Sequence, residues 1–140
     1  MDRLSVVQII VDSGLLILIW LVQLIIYPSL CYTADKEFIC WHKRYSGLIS
    51  LIIIPLMFLQ AGVEVMHFLR GDVRWHRVFL ISVIWVSTFS FSAPCHGRLH
   101  CDGKNLITIN RLVRTNWVRT VLWSLLFLET VLVAFNRYIQ

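Results

Sequence analysis

The chain has 140 residues, of which 58% are hydrophobic and 15% charged, with a formal net charge of +5. A typical soluble domain is about half apolar and about a quarter charged, and a soluble chain this short cannot bury so much apolar surface. The composition therefore argues against an ordinary soluble domain and predicts a single integral membrane domain over residues 1–140.

Four apolar stretches have the length of a membrane-spanning helix, which needs about 20 residues. They cover residues 4–27, 45–69, 78–93 and 117–138. The third is near the lower limit of about 17 residues, so we expect it to take in residues from both flanks. The first run is too long for a signal-peptide core, and we expect it to stay in the mature protein. Because membrane strands alternate and are about half as long, these uninterrupted runs predict an all-α, four-transmembrane-helix bundle.

The basic residues are distributed unequally between the two ends of this predicted bundle. The side that carries both termini and the middle connection has Arg3, Arg70, Arg74, Arg77 and Arg137. The opposite side has Lys36, Lys43, Arg44, Arg98, Lys104, Arg111, Arg114 and Arg119. The positive-inside rule therefore favours cytoplasmic first and third connections, and these residues are expected to contact anionic lipid and not nucleic acid. Four cysteines share that side and would be thiols in the cytoplasm, whereas two disulfides are plausible if it is extracytoplasmic: Cys31, Cys40, Cys95 and Cys101.

The third connection has a pattern of its own. Ala93-Pro94 is predicted to end the third helix, and Asp102 can cap a new helix that begins near Gly103. Apolar residues then recur at helical spacing: Leu106, Ile109 and Val113. The pattern fits an interfacial amphipathic helix or an extension of the fourth span, and we take a short amphipathic helix before the last span as the prediction.

One group of polar residues lies inside the predicted spans, on the side of the termini. Its members are Asp12, Gln60, Glu64, His67 and Glu129. Polar groups inside a span are costly and usually face the interior of the bundle. Three carboxylates and a histidine at similar depth can ligate a metal or relay protons. The alternative is that the carboxyls are neutral and bond across helices, or that they extend towards the surface.

A second group of polar residues converges at the opposite end of the bundle. The candidate catalytic residues are His42, His96, Asn116 and Arg119, and the candidate cofactor-binding residues are Gln23, Arg44 and Tyr45. The histidines can act as axial haem ligands, as ligands of a transition metal or as acid–base groups. Arg44 or Arg119 can bind an anionic head group or a haem propionate. The alternative is an interfacial belt of polar and aromatic residues without catalysis.

The motif Cys95-His96-x3-His100-Cys101 combines thiol and imidazole groups, which suit zinc or copper. Its spacing matches no standard zinc pair, and the residues straddle the predicted end of a helix. A structural or incidental set of cysteines is therefore favoured, and the identity of any metal is left unknown.

Residues 92–123 carry a family resemblance. A Pro is followed by a polar residue and Leu, then by a short loop and an amphipathic stretch that ends in Arg-Thr. The residues concerned are Pro94, His96, Leu99, Asn105, Arg111, Asn116, Trp117, Arg119 and Thr120. This segment resembles small four-helix bacterial membrane proteins of the anthrone-oxygenase-like family. The resemblance implies a four-helix, multi-pass fold in a bacterial inner membrane.

Two functions of different classes remain open. The first is a small membrane oxidoreductase or oxygenase-like enzyme that acts on a hydrophobic substrate, with haem or a transition metal as a possible cofactor. The second is a non-enzymatic membrane subunit or a small transporter, with Asp12, Glu64 and Glu129 as a proton or ion relay. Because four helices are few for a transporter, a transporter would have to be an oligomer. The expected partners are the lipid bilayer and a hydrophobic small molecule.

Overall fold

The computed structural model describes residues 2–139, and of Arg137 and Tyr138 it describes the backbone only. The charge assigned to Arg137 at the terminal side therefore lies outside the described side chains. Within the described range the chain is 91% helical and contains no strand. Four of its helices are long and apolar enough to cross a membrane. The all-α class and the number of long helices are confirmed.

The helices are longer than the apolar runs from which they were predicted. They are α1 (Arg3–Tyr32), α2 (Asp35–Leu69), α3 (Trp75–Cys101) and α4 (Leu106–Ile139). Asp2 caps α1, because its carboxylate accepts the backbone N–H of Ser5 at 3.1 Å. The Ser5 hydroxyl donates to the same carboxylate, and the two bonds lower the pKa of Asp2 to about 2.

Two of the helices contain a single π-helical turn shortly before a proline. The turns are Val22–Ile26 in α1 and Thr88–Ser92 in α3. A proline inside a helix has no N–H to donate and its ring clashes with the carbonyl four residues earlier. For Pro28 and Pro94 these carbonyls belong to Leu24 and Ser90, at the centres of the π turns. The wider turn gives the ring room, whereas α2 continues past Pro55 without a π turn.

The connection between α3 and α4 differs from the prediction in three respects. α3 does not end at Ala93-Pro94 but continues to Cys101, and Asp102 is its C-terminal cap. The N-terminal cap of α4 is Asn105, whose side chain accepts the backbone N–H of Thr108 at 3.0 Å. The prediction of a separate short amphipathic helix is wrong, because its residues form the first turns of the continuous α4.

α2 and α3 are the two neighbouring helices that pack least closely. α1 and α4 are neighbours, α2 packs against α1, and α3 packs against α4. α2 and α3 have little mutual contact except near the first and third connections. The middle of the bundle is filled by Val11, Leu15, Ile19, Met57, Ile81, Ile84, Trp123 and Leu126. The space between α2 and α3 is therefore the loosest part of the interior.

Gly103, in the connection between α3 and α4, should be sensitive to substitution, because its φ is +79°. A Cβ there would lie 3.7 Å from Ile39 Cδ1, which is ordinary contact, so the cost comes from the left-handed backbone. We expect Gly103→Ala to lower the free energy of unfolding by roughly 1–2 kcal/mol. Gly62→Ala in α2, where an added Cβ meets nothing within 4 Å, is the control and should not destabilise. Equal stability of the two variants in chemical unfolding would contradict this prediction.

Candidate functional site

The guanidinium of Arg77 lies at the centre of the terminal half of the bundle and is fully buried. It donates to Asp12 Oδ2 at 2.7 Å, to Glu64 Oε1 at 2.8 Å and to Glu129 Oε2 at 3.4 Å. The same group donates to the Thr130 hydroxyl at 3.1 Å and to a backbone carbonyl of α4. One cation on α3 therefore contacts carboxylates on each of the other three helices.

Further polar contacts complete the arrangement around these carboxylates. Arg74 donates to the second oxygen of Glu64 at 2.9 Å and to Gln8 at 3.0 Å. Gln60 donates to the second oxygen of Asp12 at 2.7 Å. His76, which is exposed, bonds to the second oxygen of Glu129 at 2.6 Å. Both oxygens of all three carboxylates are thus engaged, and we call this set the Arg77 cluster.

The Arg77 cluster contains four of the five residues predicted for the terminal side. It brings together Asp12, Gln60, Glu64 and Glu129, whereas His67 bonds instead to Asp72, at 3.0 Å, in the middle connection. No group of three or more His, Cys, Asp or Glu within residues 2–139 could hold a metal ion. The relay role stays a prediction, and engagement of the carboxylates by buried guanidinium groups favours a structural role.

Sequence reasoning missed Arg77 itself, because it assigned this residue to the middle connection. The helix begins at Trp75, and Arg77 shares its buried face with Ile81 and Ile84. These spacings of four and three residues are those of one helical face. Helical periodicity extended upstream of the apolar run would have identified Arg77 as an inward-facing cation.

A cavity of about 530 Å³ lies between α2 and α3, towards the first and third connections. Its wall is mostly apolar and includes Ile19, Ile53, Met57, Trp85 and Trp123. Three further lining residues, Ile54, Phe58 and Phe89, are half or more exposed on the outer surface of the bundle. The cavity therefore reaches that surface between α2 and α3.

Polar side chains gather at one end of this cavity. They are Tyr27, Lys43, Tyr45, Ser46, Ser92, His96, His100 and Arg119. No Asp or Glu within the described part of the chain lines the cavity. The combination of a long apolar wall with a polar, cationic end is that of a site for an amphipathic small molecule.

Three of the aromatic and imidazole groups at this end form a hydrogen-bonded chain. The Tyr27 hydroxyl lies 3.2 Å from His96 Nε2, and His96 Nδ1 lies 3.0 Å from His42 Nε2. His42 is fully buried and stacks on Phe38, with 5.4 Å between the ring centroids. Since His96 has one nitrogen towards each neighbour, its neutral imidazole donates to one of them and accepts from the other.

Arg119 is held beside this chain by two amide side chains. Its guanidinium donates to Asn116 Oδ1 and to the Tyr27 hydroxyl, the latter at 3.4 Å. Asn116 in turn donates to Gln23 Oε1 at 2.7 Å. The side chain of Arg119 is 6% exposed and forms no ion pair with the carboxylates of the described residues. It is a buried cation whose partners are all neutral.

Three buried polar atoms near the cavity have no hydrogen-bond partner within the described residues. They are Arg119 Nε, Ser92 Oγ and His42 Nδ1. A buried polar atom without a partner costs about 1–3 kcal/mol, and more when the group is charged. Arg119 and Ser92 both line the cavity, so a molecule in the cavity can supply acceptors for them.

The residues predicted for this end of the bundle fall into three groups. His96, Arg119 and Tyr45 line the cavity. The second group, His42, Asn116 and Gln23, is buried behind the lining residues and supports them through the hydrogen bonds described above. Arg44 is exposed and does not line the cavity.

Tyr27 was absent from the predicted site, although it lies between His96 and Arg119. It follows Gln23 by four residues, and residues four apart share a helical face. This spacing was the available signal. It was not decisive, because the π turn that sets the direction of Tyr27 has no clear sequence pattern.

His42 and His96 do not form a pair of axial haem ligands, and the Cys95-His96-x3-His100-Cys101 motif does not form one site. Axial haem ligands stand on opposite faces of the macrocycle, whereas His42 and His96 are in direct contact and leave no space between them for one. In the Cys95-His96-x3-His100-Cys101 motif, Cys95 is buried in an apolar cluster and Cys101 is exposed. The two cysteines therefore do not converge with the histidines.

The chain was compared with protein-family models, curated proteins and solved structures. No protein-family model, no curated protein and no solved structure matches the chain. The resemblance to the anthrone-oxygenase-like family stays a prediction. The function of the chain is therefore inferred from its own side chains and its cavity.

We expect Arg77→Gln to lower the free energy of unfolding by about 3–5 kcal/mol, because it leaves buried carboxylates without their cation. The measurement is unfolding of the purified full chain in detergent, followed by circular dichroism. Arg70→Gln removes an arginine that pairs with exposed Asp2 and should have a much smaller effect. Similar losses for the two variants would show that the Arg77 cluster does not hold the helices together.

Proposed function

We propose that the chain spans a lipid bilayer four times, with the first and third connections on the cytoplasmic side. The outer surface of the helices supports this arrangement, because large apolar side chains are exposed along it, among them Leu48, Leu51, Phe79, Val86 and Leu132. Exposed apolar area of this extent is typical of contact with lipid. The guanidinium groups of Arg74 and Arg77 turn inward, which increases the excess of free basic groups at the cytoplasmic side.

Within the bilayer the cavity would receive its ligand from the lipid phase. The gap between α2 and α3 is bordered by apolar residues such as Phe58 and Phe89, so a hydrophobic chain can pass through it without crossing water. The polar end of the cavity lies near the connections and hence near the head groups. A lipid-soluble molecule with an oxygen-bearing end matches both parts of the cavity.

We infer that the protein is a membrane enzyme that performs acid–base chemistry on the oxygenated end of a hydrophobic substrate. The observation that carries this proposal is the chain Tyr27–His96–His42 at the polar end of the cavity. Tyr27 and His96 line the cavity and would be the catalytic residues. His42 acts through His96, and Asn116 acts through Arg119, so both are positioning residues.

The proton is transferred between the Tyr27 hydroxyl and the substrate oxygen. In one arrangement His42 Nε2–H donates to His96 Nδ1, and His96 Nε2–H donates to the Tyr27 oxygen. The Tyr27 O–H then points to the substrate and can protonate its oxygen, which leaves a Tyr27 phenolate that still accepts the N–H of His96. Arg119, at 3.4 Å from the Tyr27 oxygen, stabilises the negative charge that develops on it. The reverse shift removes a proton from the substrate, and its electron pair remains on the substrate.

This acid–base step is compatible with the oxidoreductase or oxygenase-like reaction that was one of the two functions left open by the sequence. Such a reaction on a phenol or an enol would begin with removal of a proton from the substrate oxygen. The identity of the oxidant and of any cofactor stays a prediction. The roles given to Tyr27 and His96 are the same in either case.

The proposed topology predicts which cysteines an impermeant maleimide labels. Exposed Cys40 and Cys101 lie near the first and third connections and should react in inverted membrane vesicles but not in intact cells. Val73→Cys, in the middle connection, should react only from the opposite side. Recovery of the chain without detergent, or labelling of all three positions from one side, would contradict this topology.

The proposed chemistry predicts that Tyr27→Phe and His96→Gln lose about 10²–10⁴-fold in turnover, the usual contribution of a general acid or base. Purified protein in lipid nanodiscs would be incubated with a lipid extract, and mass spectrometry would identify products that accumulate with time. Cys101→Ser, at an exposed position outside the site, is the control and should retain the wild-type rate. Product formation by Tyr27→Phe at the wild-type rate would overturn the proposal, as would the absence of any product.

A further inference from the structure

The charge of Arg119 leads to an inference about the substrate, which rests on the proposed function of the same cavity. A buried guanidinium is usually paired with an anion, because removing a charge from water is costly. The Arg77 cluster follows this rule, with three carboxylates around its central cation. Arg119 is also buried, with 6% of its surface exposed, yet its partners are the neutral groups of Asn116 and Tyr27.

The remaining surroundings of Arg119 do not supply an anion either. The titratable groups that line the cavity with it are Tyr27, Lys43, Tyr45, His96 and His100. These are neutral or positive at neutral pH in their ordinary states. A potential of positive sign therefore extends over the polar end of the cavity.

Two hydrogen-bond donors on side chains that line the cavity are unsatisfied. Arg119 Nε and Ser92 Oγ are buried, lack partners within residues 2–139, and belong to side chains that line the cavity. An N–H and an O–H donor suit the oxygens of a carboxylate or a phosphate. The apolar wall from Ile53 to Phe58 continues away from this position and suits a hydrocarbon chain.

We infer that the substrate is an amphiphile with an anionic head group, a carboxylate or a phosphate, which Arg119 and Ser92 bind while the hydrocarbon chain lies between α2 and α3. The cavity volume of about 530 Å³ is within the range of roughly 300–1,000 Å³ found for sites that hold one small molecule. The ligand supplies the counter-ion that the protein lacks at this end.

Binding of four probes to the purified full chain in phosphatidylcholine nanodiscs tests this inference. The probes are dodecanoate, dodecyl phosphate, dodecanol and inorganic phosphate, and native mass spectrometry measures the bound fraction. We expect the two anionic amphiphiles to bind at least about tenfold more tightly than dodecanol, since hydrogen bonds to charged groups contribute this much. Arg119→Gln should abolish the preference, Arg119→Lys should keep part of it, and exposed Arg114→Gln should leave it unchanged.

The outcomes separate this inference from the proposed function. Equal binding of dodecanoate and dodecanol, or an undiminished preference in a folded Arg119→Gln variant, would overturn the anionic substrate and leave the acid–base proposal standing. Binding of inorganic phosphate as tight as that of dodecyl phosphate would show that the site takes a free anion, which also overturns the inference. Failure of every amphiphile to bind would remove both proposals.

Discussion

The burial of Arg77 is the constraint on which the arrangement of the four helices depends. Removing a guanidinium from water costs several kcal/mol unless carboxylates surround it, and in a bilayer no water is available to replace them. Asp12, Glu64 and Glu129 therefore have to meet Arg77, which fixes the register of α1, α2 and α4 against α3. In the proposed bilayer location apolar packing cannot do this, because lipid tails are as apolar as the helices.

The cavity at the opposite end of the bundle can form because the Arg77 cluster holds the four helices together at the terminal end. With the terminal half held together, α2 and α3 separate over the apolar middle and meet again where His42 contacts His96 and Ser46 contacts His100. The gap between these two points is the cavity. The π turns in α1 and α3 stand just before the prolines, and beyond them the two helices place the Tyr27 hydroxyl 3.2 Å from His96 Nε2. The two ends also differ chemically, because Arg77 is paired with carboxylates and Arg119 has only neutral partners.

The sequence predicted the features that depend on the length of apolar runs and on helical faces. It did not predict the features that depend on how neighbouring helices pack. The four helices followed from their apolar runs, and Asp12, Glu64 and Glu129 followed from their positions within those runs. Arg77 was missed because its charge ended the apolar run although the helix had already begun. α3 passes Pro94 with a π turn, and the cavity depends on the spacing of α2 and α3. Neither the π turn nor the spacing of the helices can be read from hydropathy or helical periodicity.

A double-mutant cycle between Arg77 and Asp12 tests most directly whether this ion pair organises the bundle. The free energies of unfolding would be measured for Arg77→Gln, Asp12→Asn and the double variant, in the same detergent. The account predicts a coupling energy of about 1–3 kcal/mol, so that the double variant loses clearly less than the sum of the single losses. Losses that simply add would show that the two residues stabilise the fold independently, and would contradict the central role given to Arg77.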